Sequence, residues 1–295
     1  MAYNCVVLAK QVPDTKRITG QAMNEDGTVN RAALPAIFNP EDLNALEMAL
    51  QIKEQYGGKV TVITMGLPAA AEILRQSLYR GADGVILITD KRCAASDTLA
   101  TSYILSCAVR KLNPDIVLCG RQAIDGDTAQ VGPQVAEKLG VPQITYTEKI
   151  LNLNGKTITA RRSIGNGWQE VRTKLPVLLT VVDTANEPRI PTAKRLMKYK
   201  AARCRIEIEA MAKQNPSIDV EAVCKQLEQK GLLIRQWDLD ILGADLKWCG
   251  RDGSPTKVHR IQSVVLTAKE TKSVEPTQEA IEAMIHELIV DHTIG

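Results

Sequence analysis

The sequence predicts an α/β fold in which a mostly parallel sheet is covered by helices on both faces. Four short runs rich in Val, Ile and Leu alternate with three stretches whose apolar residues recur at three- and four-residue spacing. Such alternation is typical of parallel strands joined by helical crossovers, and folds of this class bind ligands beyond the carboxyl ends of their strands. The predicted strands are residues 5–9, 59–64, 84–89 and 115–120, and the predicted helices are residues 40–55, 69–80 and 97–112.

The pattern changes after residue 146, where an antiparallel β region is predicted. Asn154-Gly155 is a strong hairpin signal between two strand-like runs, 148–153 and 156–163, and a third run follows at 168–173. A buried strand at 175–182 and a loop with two prolines mark the predicted end of the core. We therefore predict three parts, which are an α/β core with a β-hairpin region at 1–183, a loop at 184–205 and a C-terminal extension at 206–295. Within the extension, helices are predicted at 218–230 and 277–291 and irregular structure at 237–256.

The near balance of basic and acidic residues argues against partners that are attracted by a large net charge of the whole protein. The 37 Lys and Arg residues are nearly matched by 34 Asp and Glu residues, and aromatic residues make up only 3% of the chain. We therefore predict no binding to nucleic acid or to anionic lipid. No apolar stretch approaches bilayer length, and the seven cysteines include no CxxC pair. From the opening residues we also expect no signal peptide. These features predict a cytoplasmic protein with no membrane insertion and with reduced, buried thiols.

The sequence lacks the local signatures of several enzyme classes. No GxGxxG follows the first predicted strand and no GxxxxGK[ST] occurs, so the fold is Rossmann-like without the usual dinucleotide fingerprint, and the P-loop is excluded. GxSxG and HExxH are also missing. His259, His286 and His292 all lie in the C-terminal extension and are interpreted as surface residues. We predict no catalytic side chain and no metal site, and we expect a bound cofactor to carry the chemistry.

Residues 120–134 are the most informative part of the sequence. They follow a predicted buried strand, contain an acidic, glycine-bearing turn and lead into an amphipathic stretch at 128–139. Free backbone amides at a helix N-terminus beside small residues suit a nucleotide phosphate. The same spacing also fits an ordinary strand-to-helix turn in which Asp127 or Thr128 is the N-cap residue. The spacing alone leaves both interpretations open.

Several segments together resemble the β subunit of electron-transfer flavoproteins. The resemblance extends from the first strand to about residue 200, and its most specific part is the loop at 120–134, which is similar to the family's nucleotide loop. The other segments are similar to the family's first strand, a helix start, the end of its second strand and the start of its recognition loop. These segments are Val7-Leu-Ala-Lys-Gln-Val-Pro-Asp14, Phe38-Asn39-Pro40 with Ala45–Ala49, Met65-Gly66 and Asn186-Glu-Pro-Arg189.

The resemblance implies an adenine-nucleotide site. Leu8 and Ala9 would lie against the adenosine, Asn39 and Met65 would help to enclose it, and the loop would wrap the phosphates with amides and hydroxyls. Because Asp125 and Asp127 cannot both face a diphosphate, we expect at least one of them to hold the loop's own amides or a ribose hydroxyl. The implied binding residues are Leu8, Ala9, Asn39, Met65, Ala123, Ile124, Asp125, Gly126, Asp127, Thr128, Ala129, Gln130, Val131, Gly132, Pro133 and Gln134.

Members of this family come in two kinds, and the resemblance favours the electron-bifurcating kind. Housekeeping β subunits hold AMP, whereas bifurcating ones hold a second FAD in the same place and take electrons from NADH. Three segments are similar to bifurcating members, namely Asp125-Gly-Asp-Thr-Ala-Gln-Val-Gly-Pro, Val12-Pro13-Asp14-Thr15 and Gly253-Ser-Pro-Thr256.

The function that this resemblance implies is division of electrons between two acceptors. The β subunit would bind FAD, oxidise NADH, and pass one electron to ferredoxin or flavodoxin and the other to a dehydrogenase through the FAD of the α subunit. The first alternative is a non-bifurcating subunit that holds structural AMP and acts as a scaffold and docking surface. The second is a stand-alone adenine-nucleotide hydrolase or stress-type protein, which the long basic loop and the C-terminal extension argue against.

The resemblance also implies protein partners. The extension at 206–295 would pack on the α subunit, and a dehydrogenase would dock at 186–200, within a segment that has seven basic and no acidic residues between 189 and 205. Ala193 stands where housekeeping members present a docking Leu, and Ile164-Gly-Asn-Gly-Trp168 replaces an acidic-Gly-Gly turn. Lys10 and Arg121, both near strand ends, are candidates for tuning a flavin.

Overall fold

The computed structural model describes residues 1–14, 34–257 and 273–290. Its strands are β1 (Cys5–Leu8), β2 (Gln11–Pro13), β3 (Ala36–Phe38), β4 (Val60–Met65), β5 (Gly84–Ile88), β6 (Ile116–Gly120), β7 (Gln143–Asn154), β8 (Thr157–Ser163), β9 (Trp168–Lys174), β10 (Val177–Val181), β11 (Arg203–Cys204) and β12 (Leu233–Trp237). Its helices are α1 (Pro40–Tyr56), α2 (Ala71–Arg80), α3 (Thr98–Leu112), α4 (Val131–Leu139), α5 (Ala193–Tyr199), α6 (Arg205–Gln214), α7 (Val220–Gln229), α8 (Leu239–Leu242) and α9 (Gln278–Val290).

One large sheet organises the protein. Within the described ranges it has ten strands in the order β11-β12-β5-β4-β1-β6-β10-β7-β8-β9. Strands from β11 to β7 pair in parallel, and β8 and β9 are added in antiparallel pairing. The chain proceeds from β1 to β4 and β5 on one side and then crosses to β6 on the other side. The strand order therefore reverses at β1, which is where open α/β sheets bind ligands.

The central strands β1, β6 and β10 are buried along their whole length, as their continuous apolar runs predict, whereas the end strand β9 is mostly exposed. Alternate β1 residues serve opposite cores. Val7 packs in a cluster with Leu46 of α1, whereas Val6 packs in a second cluster with Ile104 of α3. Helices α1 and α2 supply the first cluster, and α3, α4 and α8 supply the second. The predicted α/β class with helices on both faces is confirmed, and so is the β-hairpin region.

The C-terminal extension is partly built into this sheet. Strand β12 of the extension pairs with β5, and β11, which lies at the end of the predicted loop 184–205, pairs with β12. Two strands that the sequence patterns did not predict therefore extend the sheet at one edge. They were missed because β11 has two residues and the burial of β12 does not alternate regularly. α7 and α9 confirm the two predicted helices, except that residue 291 lies outside the described residues. The division of the chain into three parts stays a prediction.

Helix α9 differs from the other long helices because it buries none of its side chains. Ile281, Ile285 and Ile289 are all exposed along it. Within the described residues, no helix has both the length and the apolar character needed to cross a bilayer.

Gly132 allows α4 to lie directly on the sheet. A Cβ at this position would come within 2.9 Å of both the Cys119 sulphur and the Thr180 methyl carbon. Atoms do not approach so closely without displacement, so a side chain here would push α4 away from β6 and β10.

We predict that Gly132→Ala lowers the free energy of unfolding by about 1–3 kcal/mol because the added methyl overpacks this contact. Gly126→Ala is the matched control, since a Cβ added at Gly126, in the same loop, would have no atom within 4 Å. Urea unfolding followed by circular dichroism measures both variants. Equal stability of the two would contradict the close contact.

Candidate functional site

A cavity of about 450 Å³ lies at the carboxyl ends of β1, β4 and β6, between the N-termini of α3 and α4. One side is the loop from β6 to α4, and the other is the loop that follows β5. Its lining residues are Leu8, Ala9, Lys10, Asp42, Met65, Cys93, Ala95, Ser96, Asp97, Thr98, Thr101, Leu105, Cys119, Gly120, Arg121, Gln122, Ala123, Gly126, Asp127, Thr128, Ala129, Gln130, Val131 and Gly132.

The cavity brings together most of the residues expected from the resemblance. The members that line it are Leu8, Ala9, Met65, Ala123, Gly126, Asp127, Thr128, Ala129, Gln130, Val131 and Gly132. The expected residues that do not line it are Asn39, Ile124, Asp125, Pro133 and Gln134.

Asn39 shapes the loop from behind. It is fully buried, its side-chain amide donates to the Gln122 carbonyl at 2.9 Å, and its Oδ1 accepts from the Ile124 amide at 3.2 Å. These two bonds fix both sides of residue 123. Asn39 therefore positions the loop, and it does not itself line the cavity.

The loop has an unusual backbone. Asp127 and Ala129 have positive φ angles of 47° and 52°, which are uncommon for residues with a side chain. Such conformations persist when surrounding contacts impose them, and they cluster at binding sites. Here the amides of Gly126 and Asp127 both donate to the Ala123 carbonyl, which closes a tight turn.

Both acidic residues of the turn have protein partners. Lys10 Nζ lies 2.7 Å from each carboxylate oxygen of Asp125, so this ion pair joins the β1 end to the loop. Asp127 Oδ1 accepts from the Gln122 side chain at 2.9 Å. Asp125 is thus neutralised by a lysine, and Asp127 is hydrogen-bonded to a neutral amide side chain.

The two helix N-termini beside the cavity differ in capping. Helix α3 is capped by Asp97, whose side chain accepts from the Ala100 amide at 2.9 Å. Helix α4 has Gln130 at its N-cap and no side-chain capping bond. The interpretation of Asp127 or Thr128 as N-cap is therefore wrong, because the helix begins only at Val131. An anion is favoured at α4, where Val131 and Gly132 supply amides and Pro133 has none.

Two buried acidic residues in the first turn of α1 hold the strand ends in place. Asp42 accepts from the amides of Lys10 and Gly120, each at 2.8 Å. Glu41 accepts from the Gln122 amide at 2.9 Å and from the Arg121 guanidinium at 2.8 Å. Burial raises the pKa of the Asp42 carboxyl to about 7, although the hydrogen bonds from the Gly120 and Lys10 amides by themselves lower this pKa.

Gly120 is required by the same arrangement. A Cβ there would lie 2.7 Å from both Asp42 Oδ1 and the Glu41 Cβ. Only glycine lets β6 end so close to α1.

The two proposed tuning residues are already paired. Lys10 is bound to Asp125, and Arg121 is bound to Glu41 while its guanidinium lies 5.6 Å from the centre of the Tyr146 ring. Each cation therefore brings a compensating carboxylate. Any field they exert at the cavity is that of an ion pair.

The wall formed by Cys93, Ala95, Ser96, Asp97 and Thr98 was not anticipated from the sequence. Thr98 Oγ1 donates to Gln130 Oε1 at 2.8 Å, so this wall contacts the β6–α4 loop. The available signal was the Asp-Thr pair after β5, which is an N-cap sequence at the carboxyl edge of a parallel sheet.

The cavity contains no reactive thiol among its described residues. Burial raises the pKa of Cys93 to about 12 and also raises the pKa of Cys119. Both are protonated at neutral pH and are poor nucleophiles. His286 is exposed on α9, as expected, whereas His259, His292 and Thr15 lie outside the described residues. No cluster of metal-ligating side chains occurs in the part of the chain that is described.

Known proteins and one family model resemble this chain over most of its length. The family model described as "Electron transfer flavoprotein domain" matches residues 26–213. The chain is 38% identical over 291 residues to the electron transfer flavoprotein subunit beta of Clostridium acetobutylicum, covering 99% of this chain and 100% of that protein.

Two further relatives carry different names. Identity is 43% over 226 residues to the acryloyl-CoA reductase electron transfer subunit gamma of Anaerotignum propionicum, covering 75% of this chain and 82% of that one. The chain is 39% identical over 291 residues to protein FixA of Azorhizobium caulinodans, and the match covers 96% of this chain and 92% of that protein.

We predict that Asp42 makes stability depend on pH. The unfolded carboxyl titrates near pH 4, whereas the folded one retains its proton to about pH 7. Between these values the folded state binds more protons, so this residue's contribution to stability falls as the pH rises.

Asp42→Asn should remove that dependence. The variant should be less stable at every pH, because an amide cannot accept from both backbone N–H groups. The stability difference between wild type and variant should shrink from pH 4.5 to pH 7.5 in urea unfolding. A difference that is constant or grows over this range would contradict the raised pKa.

Proposed function

The chain belongs to the electron transfer flavoprotein family as a β subunit, and we propose that it binds FAD in the cavity, accepts electrons there from NADH, and bifurcates them. One electron would reach ferredoxin or flavodoxin, and the other would pass through the FAD of the α subunit to a dehydrogenase. The observation that carries the nucleotide assignment is the uncapped N-terminus of α4 at the cavity. The flavin itself would supply the redox chemistry.

The residues of the cavity fit a nucleotide. Val131 and Gly132 would donate their amides to the phosphates, with the helix dipole favouring negative charge. Leu8, Ala9 and Met65 would form the apolar side against the adenine. The cavity volume of about 450 Å³ is in the range of small-molecule sites.

An AMP site is the competing candidate, and one observation favours it. The two cations that line the described cavity, Lys10 and Arg121, are each bound to a carboxylate. A diphosphate carries more negative charge than a monophosphate, so it gains more from an unpaired cation. The amides of α4 alone would suffice for a single phosphate.

A partner subunit is supported by the exposed apolar residues of α9. Ile281, Ile285 and Ile289, which are exposed, would be covered by the α subunit if residues 206–295 pack on it. In this proposal residues 1–183 would form the nucleotide-binding core and residues 184–205 the recognition loop. The seven cysteines are free, and five of them are buried. Unpaired thiols of this kind fit the reducing cytoplasm, which is where we place the protein.

The docking surface for a dehydrogenase is proposed at residues 186–200. Arg189 anchors its start through Glu47 and Glu54. Beyond this anchor, Ile190 is 82% exposed and Met197 is 62% exposed. These two side chains would take over the docking contact of the Leu that housekeeping members have at the position of Ala193.

The cofactor assignment is tested by counting what the intact heterodimer releases. We expect two FAD and no AMP per heterodimer after denaturation, measured by chromatography with absorbance detection. One FAD and one AMP would overturn bifurcation and leave the scaffold function. If the heterodimer holds two FAD, we expect NADH to reduce both flavins, which absorbance spectra would follow. We do not expect this if it holds one FAD and one AMP.

The docking proposal predicts the effect of Ile190→Ala combined with Met197→Ala. Loss of two apolar contacts should raise KM for the acceptor dehydrogenase roughly tenfold or more, with flavin content unchanged. Ile241→Ala on α8, where Ile241 is 46% exposed, is the matched surface control. An unchanged KM for the double variant would place docking elsewhere.

A further inference from the structure

Residues 249–256, here called the clamp, pack against the cavity wall at residues 93–98. The clamp comes from the C-terminal part of the chain, more than 150 positions after the wall. Four hydrogen bonds join them, which are Gly250 N to Ser96 Oγ at 3.1 Å, Asp97 N to Ser254 Oγ at 2.8 Å, Thr256 N to Asp97 Oδ2 at 2.9 Å, and a longer one from Ser254 Oγ to the Ala95 carbonyl at 3.5 Å. A segment that was expected to be irregular thus contacts the wall at consecutive residues.

Ser254 is the centre of this contact. Its side chain is buried, with 3% exposure, and its hydroxyl donates to the Gly250 carbonyl at 2.7 Å while accepting from the Asp97 amide. Replacing it with alanine would leave the part-buried Asp97 amide and the buried Gly250 carbonyl without their partner, which costs more than a hydrogen bond gains.

Gly250 allows the two backbones to meet. It has a φ of 61°, and a Cβ on it would lie 2.2 Å from the Arg92 carbonyl oxygen. Any side chain at this position would separate the clamp from the wall.

The wall needs external support because its own backbone is strained. Ala95 has a φ of 58°, a left-handed conformation that is unfavourable for a residue with a Cβ. Part of this turn is held within the wall, where the Ser96 amide donates to the Cys93 carbonyl at 3.3 Å. The clamp adds contacts on both sides of Ala95, through Gly250 against residue 92 and Ser254 against residue 97. Loss of the clamp contacts would leave the wall less constrained.

We propose that Ser254 and Gly250 are positioning residues for the nucleotide cavity, which they affect by fixing the wall at 93–98. The proposal rests on the proposed function, because it assigns an adenine nucleotide to that cavity. Neither residue lines the cavity, so their effect passes through the wall. Thr98 bonds to Gln130 at the start of α4, and the wall therefore also bears on the phosphate end of the site.

The test compares two variants with two matched controls in the full-length chain, co-expressed with its α subunit and stripped of ligand. Ser254→Ala removes the hydroxyl, and Ser77→Ala is its control, since Ser77 is a buried serine of α2 that bonds within its own helix. Gly250→Ala introduces the clash, and Gly243→Ala is its control, with a similar φ of 62° and no atom within 4 Å.

We expect both clamp variants to bind FAD and AMP about tenfold more weakly than wild type, as one to two lost buried contacts imply. Affinity is measured by fluorescence titration well below the melting temperature. Hydrogen exchange at residues 95–98 should be faster in the ligand-free variants, and both controls should match wild type in both measurements.

Two results would overturn the clamp specifically. One is unchanged nucleotide affinity in both clamp variants while wild type binds normally. The other is an equal loss of affinity in the controls, which would indicate general destabilisation. If wild type itself binds neither nucleotide, the proposed function is refuted and this proposal with it.

Discussion

The first turn of α1 is the constraint on which the site depends. Asp42 and Glu41 accept hydrogen bonds from backbone amides just after β1, at the end of β6 and in the loop after β6. Asn39, the residue before this turn, both accepts from and donates to the same loop. Buried backbone amides need acceptors, and these side chains supply acceptors for the amides of Lys10, Gly120, Gln122 and Ile124. The arrangement requires Gly120 to have no side chain, and it fixes the first part of the loop after β6, residues 120–124.

A second constraint follows from helix capping. Asp97 satisfies the N-terminus of α3, so the amides available to an anion are those of α4. The carboxylates of Asp125 and Asp127 in the same loop are bound by the side chains of Lys10 and Gln122. The cavity consequently offers main-chain donors and apolar walls with little net side-chain charge. Such a site suits a cofactor that brings its own reactivity, which agrees with the absence of reactive thiols among the described lining residues.

The C-terminal part of the chain serves two purposes at different distances from the cavity. Close to the sheet, β11, β12 and residues 239–256 are integrated with the core through β5 and the wall. At the end, α9 presents apolar side chains without burying any. A folded protein that leaves such a helix face exposed usually covers it with a partner. The same extension therefore links the inner wall of the cavity to the surface proposed for the α subunit.

The sequence by itself determined the fold class, because short apolar runs alternating with amphipathic stretches have few other solutions. It also identified the loop at 120–134, since strand, small residues and helix start are adjacent in the chain. Only the tertiary structure decided that Gln130, and neither Asp127 nor Thr128, is the N-cap residue of α4, because capping depends on where backbone torsions become helical. It likewise decided that Lys10 and Arg121 are ion-paired and that Ser254 supports residues 93–98. These contacts join residues 80 to 157 positions apart, and no local pattern in a sequence specifies which distant groups will meet.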